Sequence, residues 1–273
     1  MLKPRETGVM FWADRDPLDR IRGLGVRCGQ LGIAGDYPLA GAAEKWKQAL
    51  AAENFTLATV VCAYNGESYA DIPTVQRTVG FIPVRWRAER LARTLEVSDF
   101  AAALGAPGIA CHIGFVPHDP GDADYLVVRE MVRNVCDHAA AHGQTFALET
   151  GQEPADVLLH FLQDVDRPNL GINFDPANMI LYGTGDPIEA LDILATHVLS
   201  VHCKDGCWPP KGDPIALGKE VPLGQGDVGL ERFLGKLKQI GFTGPLNIER
   251  EAENPEERMT DIAMAVELLA RLV

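Results

Sequence analysis

Residues 122–149, DADYLVVREMVRNVCDHAAAHGQTFALE, hold one complete helix–strand unit. Tyr125, Val128, Val132, Val135 and Ala139 recur at steps of three and four, which is one face of a helix. Asp122 is placed to cap its start and Gly143 to end it. The apolar run Thr145-Phe146-Ala147-Leu148 follows at once and stops at an acid, Glu149. The unit recurs downstream. Leu230, Phe233, Leu237 and Ile240 share a face in a helix expected over 227–240, Gly241 stops it, and Pro245-Leu246-Asn247-Ile248-Glu249 reads as the next strand. A last helix carries Met259, Ile262, Val266, Leu269 and Val273 on one face. Strands alternating with helices of this length predict a parallel sheet.

Extending the pattern outward gives eight candidate strands, at about 7–12, 25–31, 56–63, 108–113, 144–149, 170–175, 197–203 and 245–249. Helices fall between them, the longest near 84–104. No proline- or serine-rich linker, low-complexity segment or charge run divides the chain. Eight β/α units in 273 residues predict one α/β domain over 1–273, a closed (β/α)8 TIM barrel. An open doubly wound sheet usually shows a glycine-rich first turn. Here Gly23-Leu24-Gly25 does not continue as G-x-G-x-x-G, because residue 28 is Cys.

Composition narrows the function. Hydrophobic residues make up 47% of the chain, enough for a large core. The formal net charge is −13, so the basic footprint of a nucleic-acid partner is missing. The start, Met1-Leu2-Lys3-Pro4-Arg5-Glu6-Thr7-Gly8, lacks the apolar stretch of a signal peptide, and no window approaches the ~18 apolar residues of a membrane span. A cytoplasmic protein with no membrane partner is expected. The six cysteines are dispersed and lie mostly in apolar runs, which suits reduced, buried thiols. Cys203 and Cys207 lack the second close pair of a Cys-zinc site.

Four of the strands end on groups that bind metals: Glu149, then Asp175 after Gly171-Ile172-Asn173-Phe174, His202 after Val198-Leu199-Ser200-Val201, and Glu249. Catalytic groups of such barrels come from the C-terminal strand ends. A carboxylate there is costly to bury unless something pairs with it. Four on consecutive expected strands predict a shared divalent ion. Three carboxylates and one imidazole suit Mn²⁺, Mg²⁺, Co²⁺ or Zn²⁺.

Gly171-Ile172-Asn173-Phe174-Asp175-Pro176-Ala177-Asn178, Val201-His202-Cys203-Lys204-Asp205, Leu223-Gly224-Gln225-Gly226-Asp227 and Asn247-Ile248-Glu249 together resemble the sugar phosphate isomerase/epimerase group of the xylose-isomerase-like barrel superfamily. The resemblance covers nearly the whole chain and is strongest from about 108 to 250. It implies that Glu149, Asp175, His202 and Glu249 hold one divalent ion, Mn²⁺ first among the candidates. It also implies that Glu149 and Glu249 act as an acid/base pair on opposite faces of a ketose or keto-sugar substrate, moving a proton through a metal-stabilised enediolate. One position departs from the pattern. Epimerases of this superfamily often carry a substrate-binding histidine three residues after the metal aspartate, and here that residue is Asn178. Endonuclease IV, in the same superfamily, uses additional histidines for a three-zinc cluster. Here His138, His142 and His160 lie in helical patterns and positive charge is lacking, so abasic-site cleavage is not expected.

His112 ends the fourth strand at a position that in the superfamily often faces the substrate, which implies a hydrogen bond to a sugar hydroxyl. Gln152, just past Glu149, is placed to reach a substrate hydroxyl, and Glu153 to begin the next helix, where its charge suits the dipole. Lys204 shares the inward face of His202 and either binds a substrate oxyanion or pairs with Asp205. With Asn178 these form the expected substrate contacts. Trp12, Tyr64 and Trp208 either stack on a sugar or pack the barrel, and the breaker-rich segment Cys207–Asp213 is a candidate lid. Two other readings use the same residues: a lyase or dehydratase on a keto-sugar, keto-inositol or oxidised glycoside, and a non-catalytic carbohydrate-binding barrel. A homo-oligomer is compatible with all three.

Overall fold

The computed structural model describes residues 5–273. Eight strands close into a parallel barrel: β1 (Thr7–Trp12), β2 (Cys28–Ile33), β3 (Thr56–Cys62), β4 (Gly108–Cys111), β5 (Thr145–Glu149), β6 (Leu170–Phe174), β7 (Val198–Cys203) and β10 (Leu246–Ile248). Between β7 and β10 lies an antiparallel ribbon of β8 (Asp205–Cys207) and β9 (Lys219–Val221), which the sequence pattern did not predict. The helices are α1 (Leu18–Gly23), α2 (Ala42–Ala52), α3 (Ile72–Thr78), α4 (Arg87–Leu104), α5 (Ala123–Ala141), α6 (Ala155–Val165), α7 (Pro176–Tyr182), α8 (Pro187–Leu194), α9 (Leu230–Gln239) and α10 (Pro255–Leu272). The architecture is a (β/α)8 TIM barrel. No helix among the described residues is long and apolar enough to cross a membrane.

All eight barrel strands form where apolar runs were read, with one shifted start. Strand β2 pairs from Cys28, not residue 25, because Gly25 turns the chain at φ +83° after α1. Side-chain oxygens fix the helix starts. Asp122 accepts the Asp124 amide, Asp186 those of Ile188 and Glu189, and Asn254 those of Glu256 and Glu257. Gly143 follows α5 with φ +69°, as expected. Helix α9 begins at Leu230, not 227, because the amides of Gly224, Gly226 and Val228 are taken by Asp205.

The strands alternate between two environments. Leu31, Ile109, Phe146, Leu148, Ile172 and Phe174 are buried against the helix ring, where they meet Val97, Val128, Val132, Phe161 and Phe233. Each fully buried side chain of this size contributes roughly 1.5–3 kcal/mol. The alternate positions point into the barrel. There Met10, Val61, Ala110 and Ala147 pack together with Trp12 at one side. The other side, from β2, β6, β7 and β10, is polar: Gln30, Asn173, Ser200, His202 and Asn247 are all buried. This polar half of the lumen is the foundation of the site above it.

Candidate metal centre and active site

Strand register sets the site. Glu149 is paired with Asn173 across β5 and β6, and His202 with Asn247 across β7 and β10. Asp175 and Glu249 follow the last paired residues of β6 and β10. Glu149, Asp175, His202 and Glu249 are all buried, and each brings one ligand atom to within 4.8 Å of the others. The imidazole is central: its Nδ1 lies 3.3 Å from Glu149 Oε1, 3.2 Å from Asp175 Oδ2 and 3.0 Å from Glu249 Oε2. The four predicted ligands therefore converge. Their oxygen-rich donor set fits a divalent ion, which would lie among like charges that otherwise repel.

Each candidate ligand is held by a second contact. The Asp175 carboxylate is divided: Oδ1 caps α7 by accepting the Asn178 amide at 2.9 Å, and Oδ2 faces His202. Asn178 in turn donates its side-chain amide to Glu149 Oε1 at 3.1 Å. Lys204 donates to Glu249 Oε2 at 3.0 Å and to Glu251 Oε2 at 2.7 Å. His202 Nε2 lies 2.6 Å from Gln30 Oε1. Gln30 also donates to Asn173 Oδ1, which accepts Ser200 Oγ as well, so that oxygen is committed. The 2.6 Å contact to Gln30 Oε1, shorter than the 3.0 Å contact of Nε2 with Asn173 Nδ2, assigns the proton to Nε2 and turns Nδ1 to the carboxylates. The strand ladders shift register next to both Gln30 and Asn173, and such irregularities re-aim side chains.

The electrostatics follow from burial and pairing. Burial opposes charge on His202, but Glu249 and Glu149 outweigh it and hold the imidazole protonated far above its usual range. Burial raises Glu249, while His202 and Lys204 pull it down to about 2. Glu149 is likewise raised by burial and brought well below its usual value by His112 and His202. Burial would discharge Lys204, yet Glu249 and Glu251 keep it charged. Cations thus already occupy the place that suits a metal ion, and an ion entering there displaces the Nδ1 proton.

The remaining predicted residues separate. His112 Nε2 lies 3.3 Å from Glu149 Oε1, and its Nδ1 is 3.2 Å from Gln152 Nε2. Burial lowers its pKa, but Glu149 drives it up to about 9. Gln152 also donates to the Tyr182 hydroxyl at 3.3 Å. Lys204 does not pair with Asp205. Neighbours on a strand point to opposite faces, and Asp205 instead accepts four backbone amides, from Gly206, Gly224, Gly226 and Val228. A Cβ on Gly226 would stand 2.3 Å from Asp205 Oδ1, so this knot requires glycine. Glu153 does not begin α6 in solvent. It is buried before Pro154 and accepts the Val116 amide at 2.8 Å. Tyr64 is buried with its hydroxyl on Thr94, a packing role, whereas Trp208 is exposed. The segment after Cys207 is tied through Ile215 to Ile72 and through Gly218 to Leu181.

Sequence reasoning missed Gln30, Tyr182, Glu251 and Tyr69, whose ring centroid is 5.8 Å from that of His112. Only Gln30 carried a signal: a polar residue inside the apolar run Cys28-Gly29-Gln30-Leu31-Gly32-Ile33.

Comparison with known proteins agrees with this fold. The profile of the xylose isomerase-like TIM barrel family matches residues 18–272. L-ribulose-5-phosphate 3-epimerase UlaE of Escherichia coli is 36% identical over 69 residues, which is 25% of this chain and 22% of that protein. The chain spans about half the length of the curated relatives it matches over longer stretches, 53% and 45%. A xylose isomerase domain protein from Planctomyces limnophilus superposes with a TM-score of 0.94 at 45% identity, covering 98% of this chain and 97% of that one. Two more distant structures share the fold. D-allulose 3-epimerase from Methylomonas sp., in complex with D-allulose, has a TM-score of 0.71 at 17% identity, covering 100% and 98%. The probable 3-DHS dehydratase AsbF of Bacillus anthracis has 0.69 at 15%, covering 97% and 98%.

Proposed function

The chain belongs to the xylose isomerase-like TIM barrel family, and on that premise we propose that it is a divalent-metal-dependent isomerase or epimerase of a ketose or keto-sugar derivative. The observation that carries this reading is the buried convergence of Glu149, Asp175, His202 and Glu249, with two glutamates among them. These four residues would hold the ion, Mn²⁺ in the first instance. When bound, the ion supplies Lewis-acid stabilisation of charge developing on the substrate's carbonyl and neighbouring hydroxyl oxygens.

The protein groups supply the proton transfers. Both glutamates are held ionised, Glu249 at about 2 and Glu149 well below its usual range, so either can accept a proton from the carbon beside the carbonyl. The opposite glutamate, once it has taken a proton from solvent, delivers it to the other face and inverts that carbon while the first gives its proton up to solvent; delivery to the adjacent carbon isomerises the sugar. Positioned acid/base groups typically contribute ~10²–10⁴-fold each. Asn178 orients Glu149, and Lys204 balances the charge of Glu249. His112 and Gln152, joined to each other beside Glu149, present ring and amide hydrogens to substrate hydroxyls. Lys204 is also placed to meet a substrate oxygen in exchange for Glu251.

The test is incubation of the metal-loaded protein with a panel of ketoses in D₂O, followed by NMR. Deuterium on an unchanged skeleton is expected, and its loss in Glu149→Gln and in Glu249→Gln. Persistent exchange in either variant refutes that residue's role. An unsaturated or cleaved product moves the assignment to a lyase, a reading to which the likeness to the B. anthracis barrel lends only the fold.

A further inference from the structure

A second cluster of metal-binding side chains lies far from the barrel mouth. Asp99 on α4 and His138 and His142 at the end of α5 bring three ligand atoms within 4.8 Å of one another. The Nε2 atoms of both histidines meet one oxygen, Asp99 Oδ1, at 2.7 and 2.8 Å. The ring centroids are 5.2 Å apart and the rings stand edge to face at 69°. We propose that this triad is a second, independent metal site, one that takes a zinc-class transition ion.

Three features carry the assignment. His138 and His142 are four residues apart, so α5 presents both imidazoles on one face, the spacing by which helices present paired histidines to zinc. The opposing helix supplies the carboxylate, which gives a two-nitrogen, one-oxygen set with solvent completing the coordination. The side chains are 31%, 35% and 58% accessible, so an ion can enter and water can fill the remaining positions. Tetrahedral zinc with bonds of ~2.0–2.1 Å spaces its ligand atoms somewhat wider than these contacts, a change that small rotations of exposed side chains supply.

The position adds to the chemistry. Helix α4 leads into β4 and α5 into β5, so the triad lies beside the N-terminal ends of the strands, opposite the four-ligand centre. His138 and His142 occupy the last turn and C-cap of α5, where the helix dipole favours a cation. Partial burial raises Asp99, but its hydrogen bonds to the two histidines outweigh this and hold the carboxyl below its usual value. The two sites should also differ in preference. The barrel centre is carboxylate-rich and suits Mn²⁺ or Mg²⁺, whereas a nitrogen-rich set ranks Zn²⁺ far above either. On the stability face of a barrel, such an ion would clasp α4 to α5 rather than take part in the reaction.

The experiment counts zinc. The full chain, preloaded with Mn²⁺, is dialysed against buffered micromolar Zn²⁺ and analysed for metal content, alongside His138→Gln, His142→Gln and Asp99→Asn. None of these substitutions touches the barrel ligands, so zinc exchanging into the barrel cancels between proteins. The expected result is about one zinc fewer per chain in each histidine variant. At tenfold saturation of the triad, the zinc-dependent rise in the unfolding midpoint should also be ~2–4 °C larger in the wild type than in the histidine variants. Equal zinc content in wild type and both histidine variants would overturn the proposal. So would a manganese affinity at the triad equal to its zinc affinity.

Discussion

Replacing Gln30 by Leu should weaken ion binding without touching a ligand. Gln30 is fully buried on β2, and its Oε1 takes the His202 Nε2 proton at 2.6 Å. Leucine fills similar volume and removes that acceptor. The imidazole then has two options. Nε2–H can stay unpaired in a dry lumen, which costs ~1–3 kcal/mol. The proton can instead move to Nδ1, the atom facing Glu149, Asp175 and Glu249, where it competes directly with the ion. Asn173 cannot take over as acceptor, because it is its amide Nδ2, a donor, that lies 3.0 Å from Nε2. Loss of such an outer partner typically lowers metal affinity 10–100-fold, or about 1.4–2.7 kcal/mol. Calorimetric titration with Mn²⁺ at fixed pH measures it, with Met10→Leu, a buried apolar position in the same lumen, as packing control. A Gln30→Leu variant that folds and binds Mn²⁺ within twofold of wild type would refute the tautomer argument. A ¹⁵N spectrum placing the His202 proton on Nδ1 in the metal-loaded protein would do the same.

Four further outcomes follow from the same geometry. Because Glu249 and Glu149 hold a proton on His202 that the ion must displace, apparent Mn²⁺ affinity should rise with pH, by about tenfold per unit below neutrality; calorimetry in buffers of different ionisation enthalpy should find a released proton, and pH-independent binding would contradict this. Burial raises Glu153 from 4.5 to about 7, so its contribution to stability is full below the unfolded value and is lost as pH rises through 7. Glu153→Gln should therefore gain up to about 3 kcal/mol on wild type between acidic and alkaline urea titrations, and an unchanged difference would dismiss the buried charge. Asp205→Ala strands the four amides it serves and should destabilise the chain by ~3 kcal/mol or more, with Asp205→Asn, which keeps one acceptor, losing less. Lys204→Met removes a cation that holds Glu249 at about 2, so the acidic limb of the pH–rate profile should move up by about 1–3 units; an unmoved limb would separate Lys204 from Glu249.

The convergence of the four residues was legible because burial makes a charge at the end of an apolar strand improbable without a partner. Glu149, Asp175, His202 and Glu249 each broke such a run, and the alternation of strands and helices put the breaks at one mouth. What surrounds them was harder to read. Gln30 and Asn173 sit 143 residues apart in sequence yet share a hydrogen bond across the lumen. Their contact depends on closure of the barrel and on two local register shifts, neither of which leaves a mark in residue order. Lys204 illustrates a local rule left unapplied: its nearest acid in sequence, Asp205, points to the other face of the chain, so its partners had to come from another strand. The β8–β9 ribbon was hidden for a similar reason. Its strands are three residues each, and a backbone knot around one aspartate fixes them rather than any apolar period.

The same interactions that end the strands also aim the site. Asp175 finishes β6 and starts α7 with one oxygen, which leaves only the other for the cluster. The helix so started carries Asn178 to Glu149, the candidate ligand from the neighbouring strand. The loop from β5 must pass close to reach this arrangement: a Cβ on Gly151, whose φ is +150°, would stand 2.7 Å from that of Asn178. On the other side, His202 on β7 and Lys204 just past its end both grip Glu249, the residue that follows β10. The two proposed acid/base groups are thus held from different strands by residues whose first task is structural. Asn178 fits this pattern better than it fits a simple substitution for a substrate-binding histidine. One hydrogen of its amide goes to Glu149 Oε1, so this position helps set the direction in which Glu149 presents its carboxylate.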